Sequence, residues 1–298
     1  MTTQLTSSAT IIVPTFNRAG ILGECLESLV SQEYGSDFEV IVVDDGSRDE
    51  TPNLLEDWTA RHPTRLRTFR QQNSGPARAR NRGAREAGGR FLAFIDDDCV
   101  AAPSWLASLV QAIQKAQGGV AAGVVVNRES TWVSRYIVKE AVIDQHLGED
   151  GSVRELVTAN FGIRADVFHH AGGFDEQIKV AGGEDTEFGL RLQSLGYRIA
   201  YASTARVCHR SHLTLGDYVR MIYRHGRGRR RLAECFPAYR MGWPYLRFLW
   251  NACPARTWMV RDYQRYRDMN VSGIESVQYV MLRYVENLVR VAGYIRGN

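Results

Sequence analysis

Three carboxylates in a row follow an apolar run that predicts a buried strand. The run covers residues 91–95, and Asp96, Asp97 and Asp98 come directly after it. Adjacent negative charges raise the cost of ionising one another, so a cation would stabilise them. Asp96 and Asp98 share one side of an extended chain, and Mg²⁺ and Mn²⁺ favour oxygen ligands that they share with phosphates. The alternative is an aspartate-rich turn before the next helix.

A second acidic pair, Asp44 and Asp45, also ends an apolar run. Gly46 and Ser47 follow it, so a turn and a helix cap would explain the pair structurally. The functional alternative is a carboxylate that accepts a hydrogen bond from a nucleobase N–H or a ribose hydroxyl. The segment 47–50 fits a capping box that opens the next helix.

Two further segments could contribute a base and a ligand. In "GGEDTEF", Glu184 and Asp185 lie where a glycine loop becomes a helix. A carboxylate there could take a proton from an attacking hydroxyl, or it could simply stabilise the helix N-terminus. His209 ends the run "RVCH", where imidazole would suit Mn²⁺, although a lone histidine is more often structural.

The elements around these residues alternate between two periods. Short apolar strands follow one another with amphipathic helices between them over the first 126 residues. This alternation predicts an α/β fold with a mostly parallel sheet and helices on both faces. Ligands bind at the carboxyl ends of the strands in such sheets. Three polar motifs, "PTFNR", "DDGS" and "DDD", are expected to converge there.

Composition limits the classes of protein. The chain has 298 residues and a net charge of +4. Hydrophobic residues make up 44% of it, and this share predicts a globular core. The five cysteines form no CxxC pair, so we expect a reducing compartment. The polar start resembles no secretory signal, and no apolar run reaches the roughly 18 residues of a spanning helix. We therefore expect a cytoplasmic protein, with peripheral contact to the inner face of the membrane left open.

Five motifs in order resemble those of family 2 glycosyltransferases with the GT-A fold, which is Rossmann-like. They are "IIVPTFNR", "EVIVVDDGSRDET", "NSGPARARNRGAREAGGRFLAFIDDD", "ANFGIRADVFHHAGGFDE" and "GGEDTEFGLRLQSLGYRIAY". The resemblance implies an inverting transferase that moves a sugar from a nucleoside diphosphate, with UDP favoured, to an acceptor hydroxyl. It also implies Mn²⁺ or Mg²⁺ as cofactor.

The resemblance assigns roles position by position. Asp185 is implied as the base, with Glu184 beside it. The implied metal ligands are Asp96, Asp98 and His209. The implied donor-binding residues are Pro14, Thr15, Asn17, Arg18, Asp44, Asp45, Asn73, Gly75, Arg80, Asp96, Asp97 and Arg227. The family has an interrupted pair of aspartates where this chain has three, so it stays open which of Asp96 and Asp97 contacts the sugar.

The predicted domain organisation has three parts: a disordered tail at 1–8, a catalytic domain at 9–231 and a helical region at 232–298. The catalytic domain divides into a nucleotide half, 9–126, and an acceptor half, 127–231. An apolar stripe near the C-terminus is expected to pack against the catalytic domain, with subunit contact and membrane contact as alternatives. Its residues are Ile274, Val277, Met281, Tyr284, Leu288 and Val291.

The partners predicted are a nucleotide-sugar donor and an unidentified acceptor, which could be a glycan, a lipid-linked sugar or a small natural product. A homodimer through the C-terminal helices is one alternative for that region. Two other functions compete with catalysis. One is a sugar-nucleotide-binding protein without activity, although binding alone needs no base. The other is a nucleic-acid-binding protein that uses the basic patch "RHGRGRRR" at 224–231, but no recognised nucleic-acid fold motif accompanies it.

Overall fold

The computed structural model describes most of the chain, in two units. The described residues are 8–128, 131–140, 142, 144–180, 182–210, 214–240 and 255–296, without the side chains of 255–258. The first unit comprises Met1–Arg128, Glu140–Lys179 and Glu184–Ser211, and the second comprises Glu129–Lys139, Val180–Gly183 and His212–Asn298. The predicted tail, except Ser8, lies outside the described residues. The predicted domain boundaries stay a prediction.

A mostly parallel sheet of eight strands forms the centre of the first unit. The strands are β1 (Ala9–Thr15), β2 (Phe38–Asp44), β3 (Leu66–Arg70), β4 (Phe91–Phe94), β5 (Cys99–Ala101), β6 (Val120–Asn127), β9 (Phe161–Arg164) and β10 (Ala200–His209); β7 (His146–Leu147) and β8 (Val153–Glu155) form a separate pair. The order across the sheet is β3-β2-β1-β4-β9-β6-β10-β5. Strands β1 to β4 are mutually parallel, so the carboxyl ends of β1, β2 and β4 meet at one edge.

Helices cover both faces of this sheet, as the alternation of elements predicts. They are α1 (Ala19–Val30), α2 (Thr51–Arg61), α3 (Pro76–Glu86), α4 (Trp105–Lys115), α6 (Ala165–His170) and α7 (Glu184–Ser194). The period of two in β1 directs Ile11 towards the core that α1, α2 and α4 share. It directs Ile12 to the opposite core, against α3, α6 and α7. Burial on both faces explains why these strands read as continuous apolar runs.

The expected capping box at Ser47 is wrong. Helix α2 begins at Thr51, and Glu50 at its N-cap makes no side-chain cap. The Ser47 hydroxyl instead accepts a hydrogen bond from the backbone N–H of Asn17 at 2.8 Å. Asp49 Oδ1 accepts a hydrogen bond from the backbone N–H of Thr51 at 3.0 Å. Ser47 therefore joins two loops at the sheet edge, and does not open a helix.

A buried amide holds strands β6, β9 and β10 together. Asn160 is fully buried and precedes β9. Its Nδ2 donates to the carbonyls of Val124, at 2.9 Å, and Ala205, at 2.8 Å, where the register of β6 and β10 shifts. Its Oδ1 accepts from the indole N–H of Trp105 at 2.8 Å. One side chain thus pairs polar groups that the β-bulge would otherwise leave buried and unpaired.

The second unit is helical. Its helices are α5 (Trp132–Lys139), α8 (Leu215–Cys235), α9 (Ala255–Asp268) and α10 (Gly273–Arg296). Tyr136 and Tyr218 pack edge to face at its centre, and both hydroxyls donate to Glu286 Oε2 at 2.8 Å. Burial and the adjacent Glu286 charge raise the pKa of both tyrosines. Glu286 also pairs with Arg290, so the charge of this partly buried carboxylate is compensated.

Glycines within α8 serve close packing. The helix runs unbroken to Cys235 through Gly226 and Gly228, although glycine has a low helix propensity. A Cβ on Gly226 would overlap the Arg290 carbonyl of α10. A Cβ on Gly228 would overlap the Gly182 carbonyl in the loop before α7. The cost of glycine in a helix is therefore offset by packing that larger residues would prevent.

The expected burial of the C-terminal apolar stripe is wrong for its first half. Ile274, Val277 and Met281 are 78%, 54% and 52% exposed, whereas Val291 is buried. Tryptophans in this region would support contact with a membrane surface, but Trp243, Trp250 and the side chain of Trp258 lie outside the described residues. Among the helices that the structure describes, none combines the length and the hydropathy that crossing a bilayer requires.

Replacing Asn160 by alanine should destabilise the first unit by about 2–4 kcal/mol. The change leaves the indole N–H and two carbonyls buried without their partner. Urea unfolding followed by tryptophan fluorescence measures the loss. Asn53→Ala on the exposed surface of α2 is the matched control, and it should change stability by less than about 0.5 kcal/mol. Equal effects of the two changes would contradict the role of Asn160.

Candidate active site

The three aspartates after β4 point to three different partners. Asp96 Oδ1 accepts from Arg80 Nη2 at 2.7 Å. Asp97 Oδ1 lies 3.6 Å from Arg18 Nε. Asp98 Oδ1 lies 3.3 Å from His209 Nε2. The chain turns directly after β4, and this separates three carboxylates that are adjacent in sequence.

A strand that the sequence did not predict brings His209 to Asp98. Strand β5 begins at Cys99, immediately after the acidic run, and pairs antiparallel with the end of β10. Cys99 lies opposite His209, and the N–H of Arg210 donates to the Asp98 carbonyl at 2.8 Å. The three-residue length of β5 explains why apolar periodicity gave no signal for it. The backbone pairing fixes the distance between carboxylate and imidazole.

Asp98 and His209 fit a divalent cation. Their facing atoms are 3.3 Å apart, a spacing compatible with two ligands of one ion at bond lengths of about 2.1 Å. The Sγ of Cys99 completes a group within 4.8 Å, but burial raises the pKa of this thiol, and a thiol binds metal as the thiolate. The remaining carboxylate and imidazole suit Mn²⁺ or Mg²⁺. Asp96 is outside this group and faces Arg80.

The charge of the cluster also favours a cation. The cluster contains five carboxylates: Asp96, Asp97, Asp98, Glu184 and Asp185. Among the described residues, the cationic partners of these carboxylates are the guanidinium groups of Arg18 and Arg80, and His209 lies beside Asp98. Burial and the charge of Asp98 raise the pKa of Asp97, and Arg18 and the Thr15 hydroxyl offset this in part. Bound positive charge would lower the cost of keeping these groups ionised.

Arg80 links the aspartates to the candidate base. It lies on α3 with 5% of its side chain exposed, and its Nη1 donates to Glu184 Oε1 at 2.9 Å. Its Nη2 contacts Asp96, and its guanidinium lies over the ring of Phe174 at 5.7 Å. The adjacent carboxylates raise the pKa of Arg80 despite its burial. Arg80 thus joins the end of β4 to the start of α7.

Asp185 and Glu184 differ in environment. Glu184 is buried, and its carboxylate forms an ion pair with Arg80. Asp185 is half-buried. The hydrogen bond described for its carboxylate is a local one, which Oδ1 accepts from the N–H of Thr186 at 2.8 Å. Burial and the charge of Glu184 raise the pKa of Asp185 to about 7. A half-buried carboxylate with this pKa suits proton abstraction near neutral pH.

A cleft of about 620 Å³ lies beside the ends of β1, β2 and β3. Its lining residues are Phe16, Asn17, Gly46, Arg48, Arg70, Gln71, Gln72 and Asn73. Asn17 has a left-handed φ of 53°, and its Oδ1 accepts from the N–H of Arg48 at 2.8 Å. This bond holds the loop after β1 against the loop after β2. The volume falls in the range of small-molecule sites.

Asp45 shapes this cleft from behind. Its carboxylate accepts from Gln71 Nε2 at 2.8 Å, and from the backbone N–H groups of Ser74 and Gly75 at 2.9 and 2.8 Å. Gly75 has a φ of 94°, and a Cβ there would overlap the Lys179 carbonyl. The carboxylate therefore fixes segment 71–75, which supplies one wall of the cleft.

The other predicted site residues are distributed as follows. Asp44 Oδ1 accepts from the N–H of Ser47 at 2.8 Å and holds the turn after β2. Pro14 and Thr15 end β1, and Arg18 lies beside Asp97 and Asp98. Arg227 lies on α8 in the second unit, so its proposed contact with the donor stays a prediction.

Six residues of the cleft are not among the site residues predicted from the sequence. Phe16, Gly46 and Arg48 lie inside or beside the polar motifs that end β1 and β2. Arg70 ends β3, and Gln71 and Gln72 follow it; the weak apolar pattern of this strand gives little signal at its carboxyl end. The parallel neighbours β2 and β3 supplied the missing signal, since their ends must lie at the same edge.

Comparison with known proteins identifies the same architecture. The chain is 28% identical over 223 residues to the glycosyltransferase AglE of Haloferax volcanii, covering 73% of this chain and 71% of AglE. It is 32% identical over 222 residues to validoxylamine A glucosyltransferase of Streptomyces hygroscopicus subsp. jinggangensis, covering 62% of this chain but only 51% of that protein. The chain thus spans about half the length of this second relative.

A solved structure extends the likeness to nearly the whole chain. The mannosyltransferase PcManGT from Pyrobaculum calidifontis, in complex with GDP-Man and Mn²⁺, superposes with a TM-score of 0.67 at 20% identity, over 97% of this chain and 87% of that one. At this identity the likeness shows the GT-A fold. The family model described as Glycosyl transferase family 2 matches residues 10–180. This chain therefore belongs to glycosyl transferase family 2, and it is a glycosyltransferase.

Proposed function

We propose that this enzyme transfers a sugar from a nucleoside diphosphate sugar to an acceptor hydroxyl in one inverting displacement. The observation that carries the proposal is the pair of Asp98 and His209, 3.3 Å apart, together with the ion pairs by which the buried Arg80 links Asp96 to Glu184, the neighbour of Asp185. The pair suits a metal-bound diphosphate, and the linked residues end beside a base. A nucleotide-binding protein without activity would have no need of the second feature.

The cleft at the ends of β1 to β3 is proposed to hold the nucleoside. Phe16 is 43% exposed and offers a ring for a base to stack on. Gln71 and Asn73 bring amide groups to the lining, and Asp45 fixes the loop that carries them. We propose uridine as the base because the "DDGS" segment resembles the uracil-binding motif of the family. The GDP-Man in PcManGT makes guanosine the competitor to test.

Asp98 and His209 are proposed to hold Mn²⁺ or Mg²⁺. When bound, the ion would neutralise the charge that develops on the departing diphosphate. Asp96 and Asp97 both precede Asp98 in sequence, and the bond to Arg80 directs Asp96 towards Glu184 at the start of α7. We therefore propose that Asp96 lies nearer the sugar, and that Asp97, which is buried beside Arg18, keeps the loop in place.

Asp185 is proposed to receive the acceptor proton as the acceptor oxygen attacks the anomeric carbon. The diphosphate leaves from the opposite face, so the configuration inverts. Glu184 is proposed to act through its ion pair with Arg80, which fixes the first turn of α7. A hydroxyl of a small natural product is one acceptor class to test, since one relative is a validoxylamine A glucosyltransferase.

Asp98→Asn should abolish the part of donor affinity that depends on metal. The change removes one ligand charge and leaves the shape of the site. Isothermal titration calorimetry with UDP-glucose, UDP-N-acetylglucosamine and GDP-mannose, each with and without Mn²⁺, identifies base, sugar and metal dependence together. We expect Mn²⁺ to strengthen donor binding by the wild type at least about tenfold, and we expect Asp98→Asn to lose this gain. Disturbing a metal site typically costs about that much in affinity. Equal Mn²⁺ dependence in wild type and variant would exclude Asp98 as a ligand.

Asp185→Asn should lower turnover by about two to four orders of magnitude, because an amide cannot accept the acceptor proton. Donor affinity should stay within about twofold, since Asp185 lies outside the nucleotide cleft. Single-turnover kinetics and calorimetry on the same preparation separate the two effects. Asp57→Asn, on the exposed surface of α2, is the control and should keep full turnover. Nearly wild-type turnover in Asp185→Asn would remove it from the role.

Turnover should rise with pH through a limb near neutrality. The active form of Asp185 is the carboxylate, which predominates above the pKa, and that pKa is raised to about 7. At pH values below this pKa, kcat/KM should therefore fall about tenfold for each unit of decrease in pH. Glu184→Gln removes the neighbouring charge and should move the limb to lower pH. A limb near the ordinary aspartate value of about 3.9 in the wild type would contradict this assignment.

A further inference from the structure

Two guanidinium groups lie among the carboxylates after β4, and they are held in different ways. Arg80 is buried, and its two ion pairs measure 2.7 and 2.9 Å. The side chain of Arg18 is 45% exposed, and its Nε and Nη2 lie 3.6 Å from Asp97 Oδ1 and 3.6 Å from Asp98 Oδ2. These distances are longer than those of N–H···O hydrogen bonds. Arg80 is therefore a fixed part of the site, whereas Arg18 is a loosely held charge.

Arg18 shares a carboxylate with the candidate metal site. Asp98 faces His209 through Oδ1, at 3.3 Å from Nε2, and it faces Arg18 through Oδ2. A cation bound by Asp98 and His209 would therefore meet the positive charge of Arg18 across the same carboxylate. Like charges repel, and the repulsion is larger for a divalent ion than for a monovalent one. Arg18 thus stabilises the carboxylates by itself and opposes binding of the ion.

The main chain of Arg18 is fixed beside the nucleotide cleft, although its side chain is loosely held. Its backbone N–H donates to the Thr51 hydroxyl at 3.0 Å. The preceding residue, Asn17, lines the cleft and accepts from the N–H of Arg48. The guanidinium therefore extends from the edge of the cleft to the aspartates. A diphosphate that joins a nucleoside in the cleft to an ion at Asp98 would pass close to it.

We propose, on the basis of the function proposed above, that Arg18 is an exchangeable counter-ion that couples metal binding to donor binding. Before the donor binds, Arg18 neutralises Asp97 and Asp98 and lowers the affinity of the site for Mn²⁺. The negative charge of the donor diphosphate then attracts the guanidinium away from the aspartates. Each ligand therefore binds more tightly when the other is already bound.

This coupling can be measured from either ligand. By thermodynamic linkage, the factor by which the nucleotide strengthens Mn²⁺ binding equals the factor by which Mn²⁺ strengthens nucleotide binding. A neutral residue in place of Arg18 removes the charge that opposes the ion. We therefore expect tighter Mn²⁺ binding without nucleotide and a smaller coupling factor. The change should be about threefold to tenfold, because solvent screens the exposed part of this charge.

Arg18→Gln tests the proposal through binding of the metal alone. Titration with Mn²⁺, followed by the electron paramagnetic resonance signal of the free ion, gives its dissociation constant without nucleotide and with saturating UDP or GDP. We expect Arg18→Gln to lower this constant about three- to tenfold without nucleotide, and to reduce the coupling factor. An unchanged or higher constant without nucleotide would overturn the proposal, and it is the result expected if Arg18 only holds its loop.

A charge-preserving change and a distant change are the controls. Arg18→Lys keeps the positive charge, so its Mn²⁺ constant should stay within about twofold of the wild type. Arg61→Gln makes the same change of net charge on the exposed surface of α2 and should leave the constant unchanged. An equal gain of affinity in Arg61→Gln would assign the effect to net charge and contradict the role of Arg18. Circular dichroism shows whether each variant folds, and Arg18→Met supplies a second neutral side chain.

Asp98→Asn separates failure of this proposal from failure of the proposed function. Loss of Mn²⁺ binding in Asp98→Asn, together with unchanged binding in Arg18→Gln, would overturn only the role of Arg18. Equal Mn²⁺ binding in the wild type and in Asp98→Asn would overturn the metal site itself, and the counter-ion with it.

Discussion

The excess of negative charge at one edge of the central sheet is the constraint on which the site depends. Five carboxylates lie there, and the ion pairs among the described residues supply two guanidinium groups. Like charges held this close raise one another's pKa unless positive charge joins them. The arrangement is costly for an empty fold and well suited to one that binds a cation together with a diphosphate. Asp98 Oδ1 and His209 Nε2 face one another at 3.3 Å, whereas Asp96 is paired with Arg80.

Arg80 makes this edge one continuous network. Its two ion pairs connect the loop of aspartates after β4 to Glu184, the first residue of α7 and the neighbour of the candidate base. Burial makes the pairs stronger, and it also makes loss of one partner costly, because a buried charge would stay uncompensated. Glu184 and Asp185 are adjacent in sequence, yet Glu184 pairs with Arg80, whereas the hydrogen bond described for the Asp185 carboxylate comes from the N–H of Thr186. Asp44 and Asp45 both accept hydrogen bonds from backbone N–H groups, and both hold loops around the cleft.

The core of the second unit contains polar groups, whereas the sheet of the first unit is covered by apolar side chains on both faces. The core of the second unit is built from tyrosines whose hydroxyls need a partner, and Glu286 supplies one to both Tyr136 and Tyr218. Helix α10 also buries Tyr279, Val280 and Leu282, and Tyr279 packs edge to face against Tyr136. Glycines at the crossing of α8 and α10 allow the backbones to approach. Ile274, Val277 and Met281 of the same helix stay exposed.

The sequence by itself determined the elements and the edge at which the chemistry lies. Apolar runs ended by "PTFNR", "DDGS" and "DDD" are strands with polar ends, and parallel pairing of β1, β2 and β4 must bring those ends together. Periodicity also found α10, because an apolar stripe at helical spacing marks a helix whatever it faces. Only the tertiary structure decided the partners: β5 against β10 beside His209, Arg80 between two carboxylates, Ser47 bonded to Asn17, and the first half of the α10 stripe exposed while Val291 is buried. The physical reason is that local pattern fixes which side of an element is apolar or charged, whereas the group that meets that side comes from a distant part of the chain.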